Sequence, residues 1–272
     1  MSSATTTAPA GAPARAKVRA PRTALYASLA LLVVVLAAWQ VLPTYFGVPK
    51  YIIPTLSDSI AEFGRMWRSE GLLRHTASTA LYTVLGFAIG SALGAVLGYL
   101  LGMSRFWEEV LSPYILALQI APKVAFAPLF IMWFGYNAMP KLLVTVLIVF
   151  FPVLVNVLQA MRTVDRDLVN LARAYNLSRW GIFRKVEMPS TLPNLMAGLR
   201  IASTLAVIGV TVGELVGGNT GLGFLISYGG GQANAAMVFN AIILLTVIGF
   251  LLYSALVRAE TRLLHYLPKA QY

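Results

Sequence analysis

Cysteine is absent from this chain, which rules out a disulfide framework, a thiolate metal site and a cysteine nucleophile. Charge is scarce too: 11% of the 272 residues are charged, against roughly 25% in an average soluble domain. Histidine occurs only at His75 and His265, and no GxxxxGK(S/T) phosphate loop, HExxH metal helix or GxSxG nucleophile elbow is present. The chain is therefore not expected to be an enzyme or to hold a cofactor or metal. Acidic residues number 10 against 21 Lys and Arg, a formal charge of +11. These cations sit in short loops between apolar runs rather than in one basic domain, which argues for membrane topology and against nucleic acid.

Apolar residues, by contrast, make up 58% of the chain. Six runs are long enough to cross a bilayer as helices, which takes about 20 residues each: 24–42, 77–102, 111–134, 141–161, 195–217 and 236–257. Strands of a membrane barrel would alternate and be about half as long. The expected class is an all-α integral membrane protein with six transmembrane helices. Residues 1–23, rich in Ala, Thr and Pro with Arg15, Lys17, Arg19 and Arg22, read as a disordered basic tail, and 265–272 as a second short tail. The first apolar run also fits a cleaved signal peptide, but it lacks a convincing cleavage site, so an uncleaved span is favoured. With the N-terminus inside, the inner segments carry fourteen Lys and Arg and the outer ones four, which puts both termini and the 162–193 insert in the cytoplasm.

Several positions within this frame bear on function. After the first span, Ser59 and Glu62 resemble a capping box, and Ile60, Phe63 and Trp67 share one face of a helix expected to lie on the outer membrane surface. Gly86, Gly90, Gly94, Gly98 and Gly102 form a groove on the second span that favours close helix packing and could also serve as a hinge or sliding surface. Pro122 and Pro128 break the third span. The carbonyls freed there must be satisfied by protein or water, which makes this span a candidate for pore lining. Gln119 and Lys123 flank the break, Asn156 lies in the fourth span, and Glu214 is the one acid inside any predicted span. These four are the candidate pathway residues. Lys123 is the obvious partner for Glu214 by charge. Glu214 could equally be hydrated at the interface or serve as a hydrogen-bonding group in its Gly-rich turn.

The insert holds Arg173-Ala-Tyr-Asn-Leu-Ser-Arg-Trp-Gly-Ile-Phe-Arg-Lys-Val-Glu-Met-Pro189, two short helix-like pieces joined at an Asn and closed by prolines. From about Ile53 to Leu264 the chain resembles the permease subunits of bacterial ATP-binding-cassette (ABC) importers, in the branch that carries sulfonates, taurine, nitrate and vitamin precursors. That family's loop reads Glu-Ala-Ala, three residues, Gly, nine residues, Ile, one residue, Leu-Pro. Here the frame is Asn170-Leu171-Ala172, then Asn176, Val186 and Met188-Pro189, with Ala172 and Pro189 identical to the consensus. Asn176 can adopt the left-handed conformation that Gly would supply. Asn170 replaces the family's Glu, which removes a carboxylate. Ser178-Arg-Trp180, Pro189 to Pro193, Pro122 through Gly135 and Gly221-Leu-Gly223 match the branch more tightly.

The resemblance implies a type I ABC importer permease (MetI-like) fold in a bacterial plasma (inner) membrane. It also implies partners: a pair of ATP-binding subunits that carry out the ATP chemistry, an extracytoplasmic solute-binding protein and a second permease subunit, by the branch's habit an identical one. On this reading Tyr175, Leu177, Trp180, Ile182 and Phe183 are the apolar contacts to the ATP-binding subunit, with Arg173, Arg179 and Arg184 at their rim and Asn170, Ala172, Asn176, Ser178 and Pro189 shaping the element. The cargo would be a small polar organic solute. A stand-alone secondary transporter is the alternative, but the inverted repeat typical of that class is not evident.

Overall fold

The computed structural model describes residues 22–265, whose regular structure is entirely helical. The tails expected at 1–23 and 265–272 lie almost wholly outside those residues. Helix α1 (Arg22–Tyr45) stands nearly clear of the rest. It is pinned at one end, where Trp39 Nε1 donates to the Pro54 carbonyl at 2.9 Å and the Trp39 ring lies 6.0 Å from Phe239. The remaining long helices are α3 (Leu72–Gly102), α6 (Ala138–Arg162), α9 (Met188–Gly217) and α11 (Ala235–Leu263). Between them lie α4 (Arg105–Ile120), a 3₁₀ turn (Lys123–Phe126) and α5 (Ala127–Phe134), with α10 (Leu222–Gly231) before α11. Among the described residues, five helices are long and apolar enough to cross a membrane, and six spans result if the bent α4–α5 pair counts as one.

Helix α2 (Leu56–Ser69) corrects the sequence reading at its start. The capping box is Thr55 with Asp58: the Asp58 amide donates to Thr55 Oγ1 at 3.2 Å, and the Thr55 amide donates to the Asp58 carboxylate at 3.3 Å. Ser59 and Glu62 lie one turn further in and are buried. There Asn240 Nδ2 donates to the Ser59 carbonyl at 2.8 Å and Asn234 Nδ2 to Glu62 Oε1 at 2.7 Å. The helix thus turns polar groups toward α11 and leaves Ile60, Phe63 and Trp67 exposed, as expected where the outer surroundings are lipid tails rather than water.

The bend in the third span is sharp, 79° between α4 and the segment that begins at Lys123. In an unbroken helix the Lys123 amide would bond the Gln119 carbonyl. Here the Lys123 ammonium does so instead and also reaches the Ala121 carbonyl at 3.4 Å, so the side chain satisfies carbonyls that the break released. No residue of α4 is buried. The helix is tied back by Glu108, which pairs with Arg162 at the end of α6, and by Arg162 Nη2, which donates to Ser112 Oγ at 3.3 Å.

The core is built around α6. The glycines of α3 meet it in strict register: Gly86 faces Thr145, Gly90 faces Val149, Gly98 faces Val157 and Gly102 faces Met161. Each step of four on one helix is matched by four on the other, so the two run parallel with their backbones in near contact. On a neighbouring face of α6, Gly198, Gly209 and Gly213 of α9 face Asn156, Thr145 and Lys141, so α9 runs antiparallel to α6 while also touching α3. Close backbone approach gains dispersion and weak polar contacts that lipid cannot supply. A Cβ at Gly94 would lie 2.6 Å from the Phe150 carbonyl oxygen, and backbone there cannot move aside. Gly94→Val should destabilise the fold by about 2 kcal/mol. Gly64→Ala, where a Cβ meets nothing within 4 Å, should leave it unchanged or slightly stabilised. Thermal unfolding in detergent distinguishes the two.

Candidate functional sites at the two ends of the bundle

At one end lies the insert. Helix α7 (Arg166–Ala174) starts at Asp165, whose side chain accepts the Asp167 amide at 2.8 Å. It ends in a Schellman turn: the Leu177 amide bonds the Ala172 carbonyl at 3.1 Å and the Asn176 amide bonds the Arg173 carbonyl at 2.8 Å, with Asn176 at φ 56°. Asn176 thus takes the left-handed conformation expected of it. Ser178 then caps α8 (Arg179–Ile182) by accepting the Gly181 amide at 3.2 Å.

The prolines do not close this second piece, contrary to the sequence reading. Helix α8 passes through one π-helical stretch (Phe183–Glu187) into α9, so that 179–217 is helical throughout. Pro189 follows this stretch closely inside the continuous helix, where its lack of an N–H weakens the regular α pattern of the turn before it. Phe183 packs edge-on against Tyr99 of α3 at 5.2 Å, and the Tyr99 hydroxyl lies 3.0 Å from Thr191 Oγ1. Ile182, expected as a partner contact, is instead buried within the chain itself. Ala172 is buried as well.

The exposed apolar residues of the insert include Tyr175 and Trp180, together with Leu168 and Leu171, which the sequence reading did not assign as contacts. Leu168, Leu171 and Tyr175 are spaced i, i+3, i+7, a helical stripe that periodicity could have revealed. Leu177 is half-buried, and Arg179 and Arg184 are exposed beside the stripe. Asn170 and Arg173 instead line a charged cavity of about 740 Å³ between α7 and the start of α4, with Arg105, Glu108 and Arg162.

At the opposite end of the bundle lies a buried ion pair. Glu214, 1% exposed, meets Lys141, 4% exposed, at 3.3 Å, so Lys123 is not its partner. Both residues sit near the ends of their spans at the same depth, whereas Lys123 is held at the break of the third span and lies over the Phe151 ring. Matching depth would have been the usable signal. Thr79 of α3 donates to the Glu214 carboxylate at 2.9 Å, and the Gly223 amide does so at 3.0 Å. Lys141 also donates to Ser78 Oγ at 3.0 Å and lies 4.4 Å from the Tyr82 ring centre.

The loop from Gly218 to Gly221 can wrap the carboxylate only because it carries no side chain at the point of contact. A Cβ at Gly221 would occupy the Glu214 carboxylate, and Gly221 has φ 119°. The Gly221 amide donates to His75 Nδ1 at 2.9 Å, and His75 stacks on Phe224. This arrangement closes α3, α6, α9 and α10 together. Asn156 lies elsewhere on α6, bonds the Pro152 carbonyl at 2.8 Å and packs against Gly198, while Gln119 is exposed on α4. The four candidate pathway residues therefore do not form one cluster.

Residues 79–265 match the family described as binding-protein-dependent transport system inner membrane component. The chain is 43% identical over 225 residues to the riboflavin transport system permease protein RibX of Chloroflexus aurantiacus, covering 82% of this chain and 83% of that one. It is 32% identical over 236 residues to the putative aliphatic sulfonates transport permease protein SsuC of Bacillus subtilis, covering 87% and 86%. Among solved structures, an inward-facing MetNI methionine ABC transporter chain superposes with a TM-score of 0.63 at 21% identity, covering 74% of this chain and 98% of that one, a likeness of fold.

Removing one partner of the buried pair leaves the other charged and unpaired. Glu214→Leu is expected to cost about 3–5 kcal/mol, and adding Lys141→Met should recover most of that loss rather than add to it. A double-mutant cycle by thermal unfolding checks the coupling.

Proposed function

The chain belongs to the binding-protein-dependent transport system inner membrane component family and is a permease subunit of an ABC importer, and on that premise we propose that the exposed surface of residues 168–183 is the dock for a separate ATP-binding subunit. The observation that carries this is the Leu168–Leu171–Tyr175 stripe with Trp180, large apolar groups left exposed on a short polar insert. Aromatic anchors ringed by Arg are typical of the residues that dominate binding energy at interfaces. ATP hydrolysis takes place on the partner, since this chain carries no phosphate loop.

Transmission follows from the continuity of 179–217. A push on Trp180 is delivered along one helix to Glu214 at the far end, with a single π-helical stretch as the compliant point. The excess of Lys and Arg at the insert end supports a cytoplasmic placement of that end and of both termini. Solute then arrives at the Glu214 end from an extracytoplasmic binding protein, and a second permease copy completes the pathway. The cargo is a small polar organic solute, in keeping with the riboflavin and sulfonate named for the relatives.

Affinity purification from the native membrane tests the dock. Tyr175→Glu with Trp180→Glu should weaken capture of the ATP-binding subunit by roughly 30-fold or more while leaving the melting temperature unchanged. Ile182→Ala should instead cost about 2–4 kcal/mol of stability, because that side chain is buried within the chain itself. Equal capture by the wild type and the double Glu variant would sink the assignment.

A further inference from the structure

A cavity of about 510 Å³ opens at the Glu214 end between the start of α3, the start of α6 and the loop after α9. Its lining includes Arg74, Tyr82, Asn137, Lys141 and Asn219, and no carboxylate. Glu214 is absent from the wall because it lies behind Lys141, with its oxygens taken up by Lys141, Thr79 and the Gly223 amide. Lys141 also lines the cavity but is 4% exposed, and its ammonium already donates to Glu214, to Ser78 and to the Thr220 carbonyl, so it adds positive field rather than a free donor. Arg74 at the rim makes no side-chain hydrogen bond or ion pair among the described residues, and neither does the Asn219 amide. A wall with an unpaired guanidinium, a free carboxamide, one aromatic face and no carboxylate of its own has the chemistry of a site for oxyanions.

We propose that this cavity is a solute subsite that takes the carboxylate or sulfonate end of the transported molecule, with Arg74 and Asn219 as its contacts and the Lys141–Glu214 pair beneath them. This rests on the importer reading, which places this end of the bundle where solute arrives. The subsite is formed by three helices that the Lys141–Glu214 pair holds together, so an occupant here contacts the elements that must part for passage. Its volume suits a small solute or the head of a larger one.

The absence of cysteine makes the test direct, because Asn219→Cys supplies the only thiol. Full-length protein in lipid nanodiscs would be labelled at low salt with sulfonatoethyl methanethiosulfonate and, in parallel, with trimethylammonioethyl methanethiosulfonate. A cation within ~6 Å of the thiol shifts the anionic and cationic rates in opposite directions, so their ratio should exceed that of a free thiol by about tenfold. Arg74→Gln, at an exposed position, should abolish most of that preference without affecting folding. Ethanesulfonate or benzoate should slow the labelling. An unaltered rate ratio, no effect of Arg74→Gln, or no protection by either anion overturns the proposal. Protection only by solute-free binding protein also overturns it and makes the cavity a docking surface. Loss of the ATP-binding partner in the capture experiment would leave this labelling result standing, so the two readings fail separately.

Discussion

Lipid gives helices no hydrophobic reason to associate, so this bundle depends on how closely α3 and α9 can approach α6. Glycines at every fourth position of α3 and at Gly198, Gly209 and Gly213 of α9 remove the side chains that would otherwise hold the backbones apart. Thr145 is where the two glycine rows converge, since it meets both Gly86 of α3 and Gly209 of α9. Once α3, α6 and α9 are fixed in this way, the positions of the insert, the ion pair and the broken third span follow. The glycine pattern admitted both packing and sliding. With each glycine seated against a specific residue of α6, close packing is what the geometry displays.

The ionised groups at the helix junctions described above are each met by a partner. Glu214 and Lys141 would each be costly in an apolar interior. Together with Thr79, Ser78 and the Gly223 amide they form a satisfied network that ties the ends of three spans. Lys123 solves a different problem, the carbonyls released where proline ends α4, by turning its own ammonium back onto them. Two lysines that look alike in the sequence thus do unrelated work: one closes a helix junction and the other caps a break.

The two ends of the molecule are connected by one covalent path. The insert leaves α6, turns at Asn176 and re-enters the membrane as a helix that reaches Glu214. Its second half is continuous with α9 and braced by the Phe183–Tyr99 contact, so it is tied to the bundle rather than hung from it as a loose loop. Its first half presents the exposed stripe. A permease subunit needs both properties, a surface that another protein can grip and a stiff route from that surface to the far side of the membrane.

Apolar run length and the scarcity of charge were enough to establish the class, because a bilayer demands long uninterrupted helices and tolerates few ions. The left-handed turn at Asn176 and the close approach of α3 were also legible, since each follows from backbone freedom at a single residue type. The capping box of α2 was read one turn late, because in a membrane protein the polar face can be the buried one and the usual pattern of burial reverses. Ile182 was assigned outward for a similar reason: on a four-residue helix, which face meets the bundle is decided by how the chain enters the next span. The pairing of Glu214 with Lys141 rather than Lys123 was fixed only by tertiary structure. Charge complementarity is blind to depth, and depth is set by where each span begins and by the glycines that bring α9 against α6.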